Sequence, residues 1–463
     1  MLTALRTYAR PPSTLAGRLS VQSLLFAAGE GTFLAGSAVY FGVIVGLSLA
    51  EVGIGLTIAA IASFCVAVPA GKLVDRFGPK RLWALSAVIQ GALFIAWPFI
   101  DSFPQYVALA VVMEIFGTLG GAAHGAYVLD VLPPGERVES RAYMYSALNV
   151  GFSLGAFLGA GPIAFGPDVL RWAPLVTMVL YGVNSVAILR LPDASHDVRS
   201  SEPRKVPEGP PAIRNRSWIA VTFLTGVLWT NQVLLHTVIP LWLVTETDAP
   251  HVLVALLFGT NTLMCIVLPR LASRGIHDVD TALRAVRLSA VFFALTCLVT
   301  LATHETVGWV TIVLFFLGHV VLTWAELFLS ASGWTFEAEL MDPRRRGDYQ
   351  GVSELGGTLG RFWAPAVYGF LAMEWGAFGW LTIAAIVGAA AAAMHPATRA
   401  GRRFLEQHVP PDILADARAG TVEEADTAPT PLTDQHAPGT TATDTPVPRG
   451  VLDGRESTGD RTH

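Results

Sequence analysis

Glu30 lies in the stretch FAAGEGTFLAG, about ten residues into a long apolar run. At about 1.5 Å per helical residue this puts it roughly 15 Å deep, near the middle of a bilayer. A charge placed there costs ~2.5–3.5 kcal/mol on insertion scales, so such residues turn toward a bundle interior or a wet cavity. A carboxylate in that setting can trade its proton during a working cycle. The structural alternative is a protonated Glu30 bonded to a neighbouring helix across the gap left by its flanking glycines. Glu326 stands inside a later apolar run, with His319 seven residues earlier on the same helical face. The unperturbed imidazole value near 6.5 makes proton exchange available at His319, although a packing histidine fits the same position. Glu114 occupies the outer part of another run, where water from outside could keep it ionised. Glu30, Glu326, Glu114 and His319 are therefore the candidates for proton coupling.

A second set could meet a solute. Asn231 and Gln232 are adjacent and point about 100° apart, and His236 is five positions beyond Asn231, so not all of them can face one cavity. Amides in membrane helices also bond neighbouring helices, worth ~0.6 kcal/mol on average. His124 shares a run with Glu114. Arg361, about eleven residues into its run, needs a carboxylate or a substrate anion; Glu354, seven residues earlier, and Glu326 are candidates. Asn231, Gln232, His236, His124 and Arg361 are the substrate-cavity candidates. No Walker A sequence, nucleotide-binding glycine turn or nucleophile motif is present, and Cys65, Cys265 and Cys297 are isolated in apolar runs without ligand spacing. The reading is thus no enzyme, no metal and no cofactor. With net charge −5 there is no electrostatic ground for nucleic acid.

The elements that hold these residues follow from composition. Only 14% of the 463 residues are charged and 52% are hydrophobic, well short of the roughly 25% charged residues usual in soluble domains. Twelve runs are each able to span a bilayer as a helix: 20–47, 52–71, 81–100, 105–130, 143–165, 172–192, 217–243, 251–270, 284–303, 308–334, 350–372 and 377–394. The expected fold is an all-α membrane protein of two pseudo-symmetric six-helix bundles. Basic residues fill the N-terminus and every second loop, which predicts both termini in the cytoplasm. The 28 Arg against 3 Lys hint at a GC-rich bacterial genome and hence a bacterial plasma membrane. Residues 1–192 form the first half, 193–216 a polar cytoplasmic linker and 217–395 the second half. Residues 396–463, rich in Ala, Thr, Pro, Asp and Gly, read as a disordered tail.

The halves echo each other. GKLVDRFGPKR from Gly71 and PRLASRG from Pro269 align Leu73 with Leu271 and Arg76 with Arg274, and Gly151 and Gly155 share the spacing of Gly356 and Gly360. The run GKLVDRFGPKRLW, Gly71 to Trp83, resembles the signature between helices two and three of the major facilitator superfamily. The resemblance implies that Gly71 permits close helix contact, that Asp75 caps and pairs locally, and that Arg76, Gly78 and Arg81 belong to a cytoplasmic gate locked in the outward-open state. Asp130, Glu337, Glu339 and Asp342, beside arginine-rich loops, read as gate salt bridges. The run WAELFLSASGWTFEAELMDPRRRGDYQG, Trp324 to Gly351, is similar to the tenth-helix region of multidrug efflux members, where an acidic residue at the place of Glu326 is implicated in proton coupling or cation recognition. Polar membrane residues gather in helices one, four, seven and ten, the four that line the central cavity in proteins resembling this one. The expectation is a monomeric secondary transporter moving a small organic solute by alternating access, with protons, the solute and the bilayer as partners, and export of a drug-like compound by proton exchange as the leading direction. Uptake or facilitated diffusion of a polar nutrient, and a transporter-derived sensor or interaction protein, are the alternatives.

Overall fold

A computed structural model describes residues 10–194 and 209–419, without the side chains of Arg361 and Phe362. Twelve long helical segments dominate it: α1 (Thr14–Tyr40), α2 (Leu49–Phe77), α3 (Pro79–Leu93), α4 (Phe103–Val131), α5 (Arg137–Ala164), α6 (Pro174–Leu189), α7 (Arg216–Glu246, interrupted), α8 (Val252–Val267), α9 (Val279–Ala302), α10 (Trp309–Leu340), α11 (Arg346–Glu374) and α12 (Gly376–His408). No strand occurs among the described residues. Among those residues ten helices are long and apolar enough to cross a membrane. The other two are α8, apolar but 16 residues long, and α11, which carries Asp348, Glu354 and Arg361 along its length. Apolar side chains such as Leu49, Phe157, Phe165 and Phe378 are widely exposed, as expected of surfaces that face lipid.

The helices start where the chain offers caps. Ser48 and Glu51 form a capping box on α2, Asn215 accepts the Trp218 amide at the head of α7, and Asp278 accepts the Thr281 amide at the head of α9. The Asp278 carboxyl, outside the spans, is held below its ordinary value first by that backbone N–H and then by the Thr281 hydroxyl. Lys80, bonded to Asp193 at 2.7 Å and to the Leu191 carbonyl, ties the end of α6 to the start of α3 and likewise lowers the Asp193 carboxyl.

Helices α1 to α6 pack among themselves, as do α7 to α12; across the seam α2 and α4 meet α11, while α5 meets α8 and α10. The shared glycine spacing has one structural meaning. Any Cβ at Gly151 or Gly155 on α5 would strike the backbone of α1, and any Cβ at Gly356 or Gly360 on α11 would strike the backbone of α7. Phe33, Phe41, Phe94, Trp97 and Tyr106 pack ring against ring at the end of the first six helices away from the basic loops.

One boundary is corrected. The tail does not begin at residue 396: α12 runs through Pro396 to His408, because Thr398, Gly401 and Leu405 remain buried on one face, and a short helix α13 (Pro411–Ala419) follows. Residues 420–463 of the tail and 195–208 of the linker lie outside the described residues.

Candidate functional site

At the end of the bundle that carries the basic loops (the basic end), the seam is shut. Asp75, on the last turns of α2, accepts the amides of Gly347 at 2.8 Å and Asp348 at 2.9 Å. These are among the first N–H groups of α11, which have no partner within their own helix and carry the positive end of its dipole. Asp75 therefore caps the facing helix rather than its own. Gly71 lets this happen, since a Cβ there would collide with the Gly347 carbonyl. Gly78, at φ 95°, makes the turn from α2 into α3.

The arginines expected at this gate are not those paired across the seam. Arg76 lies over the Phe77 ring and Arg81 is exposed, and neither forms an ion pair among the described residues. Instead Arg141 of α5 pairs with Glu337 of α10 at 2.5 Å, Arg270 with Glu139 of α5 at 2.5 Å, and Arg346 of α11 with Asp130 of α4 at 3.2 Å and with the Leu129 carbonyl at 2.7 Å. The loop signature supplies the cap and the small residues, while the closing cations come from the starts of α5 and α11 and from the loop after α8. Of the remaining acids, Asp342 pairs with Arg344 within its own loop and Glu339 with Arg418 of α13.

Glu326 lies deeper along the same seam and is 3% exposed. One oxygen accepts the Tyr145 hydroxyl of α5 at 2.6 Å and the other the Asn261 amide of α8 at 3.0 Å, with the Cys265 sulfur at 3.8 Å. His319, expected beside it, lies on the same helix and is 2% exposed; its ring nitrogens are buried without a well-formed hydrogen bond, the Leu257 carbonyl being a weak partner. His236 of α7 stacks on Phe258 of α8, ring centroids 5.3 Å apart.

Glu30 is partly buried on α1 and accepts the hydroxyl of Tyr181 on α6, with Glu114 of α4, itself exposed, near enough to act on it electrostatically. Gly29 leaves room for the Tyr181 ring, so the glycine gap beside Glu30 is filled by its own hydrogen-bond donor.

The other candidates separate. The segment holding Asn231 packs on α10 and α11; Asn231 is 1% exposed with neither amide atom bonded, and the Gln232 nitrogen is buried without a partner. His124 packs against Trp83 with the rings tilted and their centroids 4.7 Å apart, which makes it part of the packing of α4 on α3 rather than a wall of the seam. The Arg361 side chain lies outside the described residues. A cavity of about 170 Å³ opens among α7, α10 and α11, lined by Thr222, Trp229, Trp334, Glu337, Ser353 and Glu354. Sequence reasoning missed Tyr145, Tyr181 and Asn261, because a tyrosine or single amide in an apolar run carries no mark separating a carboxylate's partner from a packing residue.

A polytopic helical protein with two groups of six helices, a polar seam and a shut ion-paired end is a membrane carrier by architecture. The chain belongs to the Major Facilitator Superfamily, whose family model matches residues 19–365. It is 26% identical over 384 residues, 75% of this chain and 86% of the relative, to a Na(+), Li(+), K(+)/H(+) antiporter of Planococcus maritimus. It is 23% identical over 316 residues, 67% of this chain and 74% of the relative, to the multidrug resistance protein MdtH of Yersinia enterocolitica. In fold it is similar to the transporter FucP in its outward conformation (TM-score 0.66, 14% identity, 83% of this chain and 97% of that one). It is likewise similar to a bacterial homologue of the iron transporter ferroportin in its outward-facing state (TM-score 0.65, 15% identity, 85% and 100%).

Proposed function

We propose that this transporter exports a small organic solute from a bacterial cell in exchange for protons, with Glu326 and Glu30 as the exchanging carboxylates, and works as a monomer. The observation that carries the reading is Glu326: a carboxylate sealed in the seam, held by donors from both groups of helices, at the level where alternating access would open and close. In this reading residues 1–192 and 217–395 move as two bodies, the basic end faces the cytoplasm by the bias of Lys and Arg, and the shut basic end makes this the outward-facing state. Glu114 and His236 extend the titratable path on either side. Asn231 and Gln232, buried with unused hydrogen-bonding groups, are the solute-facing residues, since a buried amide left unpaired costs about 1–3 kcal/mol unless something meets it.

A second reading, exchange of monovalent cations for protons, is favoured by the 26% identity to the Planococcus antiporter. One assay separates the two. In everted vesicles holding a respiration-driven proton gradient, a pH-sensitive dye reports proton release on adding ethidium, or on adding Na+, Li+ or K+. Release with ethidium that disappears in Glu326→Gln and Glu30→Gln supports organic export. Release with the inorganic cations alone supports the second reading, and full coupling retained in both variants sinks the assignment of those carboxylates.

A further inference from the structure

Each candidate carboxylate is capped by a tyrosine hydroxyl, but the tyrosines come from different sides of the seam. Glu30 and Tyr181 both belong to the first six helices. Glu326 and Asn261 belong to the last six, whereas Tyr145 reaches Glu326 from α5. A rigid displacement of one group against the other leaves the Glu30 contact whole and pulls the Glu326 contact apart. A proton can shift a conformational equilibrium only by the difference in its affinity for the two states, and a contact present in one state alone is the source of such a difference. We infer that Tyr145 is the positioning residue that couples the charge on Glu326 to closure of the basic end, and that Tyr181 does not do this for Glu30.

This inference rests on the proton-coupled reading above. A hydroxyl donates far more strongly to an ionised carboxylate than to a neutral one, so the ionised form of Glu326 favours the shut end and its protonation releases it. In an exchanger facing outward with that end shut, uptake of an outside proton is the event that should permit inward opening. Tyr145 is fixed for the task. Its ring meets Trp334 edge-on at 5.9 Å and packs with Cys265, Ala272 and Leu327.

The groups facing Glu326 are few. Helix α5 brings Tyr145, α8 brings Asn261 and Cys265, α7 brings His236, and α10 itself carries His319. Helix α9 contributes the Ser289 hydroxyl to the adjacent Ala325 carbonyl, and the buried face of α12 from Trp380 to Met394 is apolar. The seam ion pair of Arg141 with Glu337 is eleven residues farther along α10. Among these, Tyr145 alone crosses the seam with a hydrogen bond to the carboxylate.

The test needs no substrate. Leu73 and Leu271, 41% and 42% exposed on opposite sides of the basic end, are changed to spin-labelled cysteines in a Cys65→Ala background of the full chain in lipid nanodiscs. Distances are read by electron-electron resonance over about pH 4 to 8.5, which spans the ordinary carboxylate and imidazole ranges. The expected wild-type result is a lengthening at low pH, with the open-to-shut ratio changing roughly ten-fold or more, the span of one charge-assisted hydrogen bond. In Tyr145→Phe, which keeps the ring packing, the change falls below about two-fold; in Tyr181→Phe it stays at the wild-type size; in Glu326→Gln it vanishes. A second variant guards against misfolding of the first: 3-fluorotyrosine at position 145 keeps the shape, strengthens the donor and holds the change at or above the wild-type size. A Tyr145→Phe protein that keeps the full pH response while Glu326→Gln loses it overturns the role of Tyr145 and leaves the carboxylate reading standing. Loss of the response in Tyr181→Phe to the same degree overturns the asymmetry. A wild-type protein without a pH response, or a Glu326→Gln protein that keeps one, overturns both.

Discussion

At the scale of residues, the seam relies on pairs whose members are costly to leave alone. Arg141 and Glu337 meet at 2.5 Å with side chains 10% and 26% exposed, and the Gln350 amide supports the same carboxylate at 3.2 Å. Replacing either partner strands a largely desolvated charge, whereas replacing both removes the penalty with the pair. Arg141→Gln and Glu337→Gln are each expected to lower stability by ~1–3 kcal/mol, and the double variant by clearly less than their sum. Melting in detergent checks this, and a strictly additive double variant would show that the two side chains do not depend on each other. The acids of this network were legible as residues bordering arginine-rich loops, but their partners were not. Charge and spacing place Glu337 near a basic end without choosing among the arginines there, and it is the packing of α5 that brings Arg141 to it. Arg76 and Arg81 fail for the same reason in reverse, since the turn at Gly78 carries them onto the exposed surface.

At the scale of elements, the periodicity of apolar runs gave the helices but not their interruptions. Helix α7 breaks after Leu228 and widens into a π-turn at Leu234–Val238 just before Pro240, whose ring removes an amide and crowds the carbonyl of His236. Pro240 was visible in the sequence; the resulting turn of His236 toward Phe258 was not. The starts of helices are simpler and more testable. Asp278→Ala is expected to remove about 0.5–1 kcal/mol at neutral pH, a value kept low because the side chain is partly exposed. Its folded-state carboxyl is depressed by the Thr281 amide, so this contribution is present above its unfolded value of about 3.9 and fades as pH falls below it. Melting temperatures of the wild type and Asp278→Ala should differ at pH 7 and converge in strong acid, while Asp278→Asn, which caps without an ionisable group, should match the wild type at pH 7 and keep its margin over Asp278→Ala in acid. Closure of α2 on α11 makes a sharper demand. A Cβ at Gly351 would strike the Ala67 carbonyl, and nothing crowds Gly369 farther along the same helix. Gly351→Val should hold the basic end apart, seen as a longer Leu73–Leu271 label distance at every pH, and Gly369→Ala should leave that distance unchanged.

At the scale of the whole molecule, a succession of apolar helices could be read from hydropathy, and ten of those described are long and apolar enough to cross a membrane, since the bilayer leaves the backbone few alternatives to helix. What hydropathy could not reveal is how the end of the chain is used. Past Pro396 the composition turns polar, yet α12 continues and α13 folds back so that its residues touch both groups of helices. Arg137 at the head of α5 donates to the Ala417 carbonyl at 3.2 Å, and Arg418 pairs with Glu339 of α10 at 3.5 Å. Leu414 packs on Leu405 and Val409, which anchors the turn between α12 and α13. A segment tethered to one group and bonded to the other adds to the free energy of the shut state and is lost when the basic end opens, so its removal shifts the balance toward opening without touching Glu326 or Glu30. Ending the chain after His408 should therefore lengthen the mean Leu73–Leu271 label distance at neutral pH and speed maleimide labelling of Val138→Cys, a seam residue packed against the core of the last six helices. The single change Arg418→Ala should reproduce part of that effect, roughly two- to five-fold in labelling rate for one partly exposed pair. Arg402→Ala, which breaks the looser 3.8 Å pair with Asp280 inside the last six helices, should not. Equal rates in the truncated and full chains would mean that α13 rests against the gate without holding it.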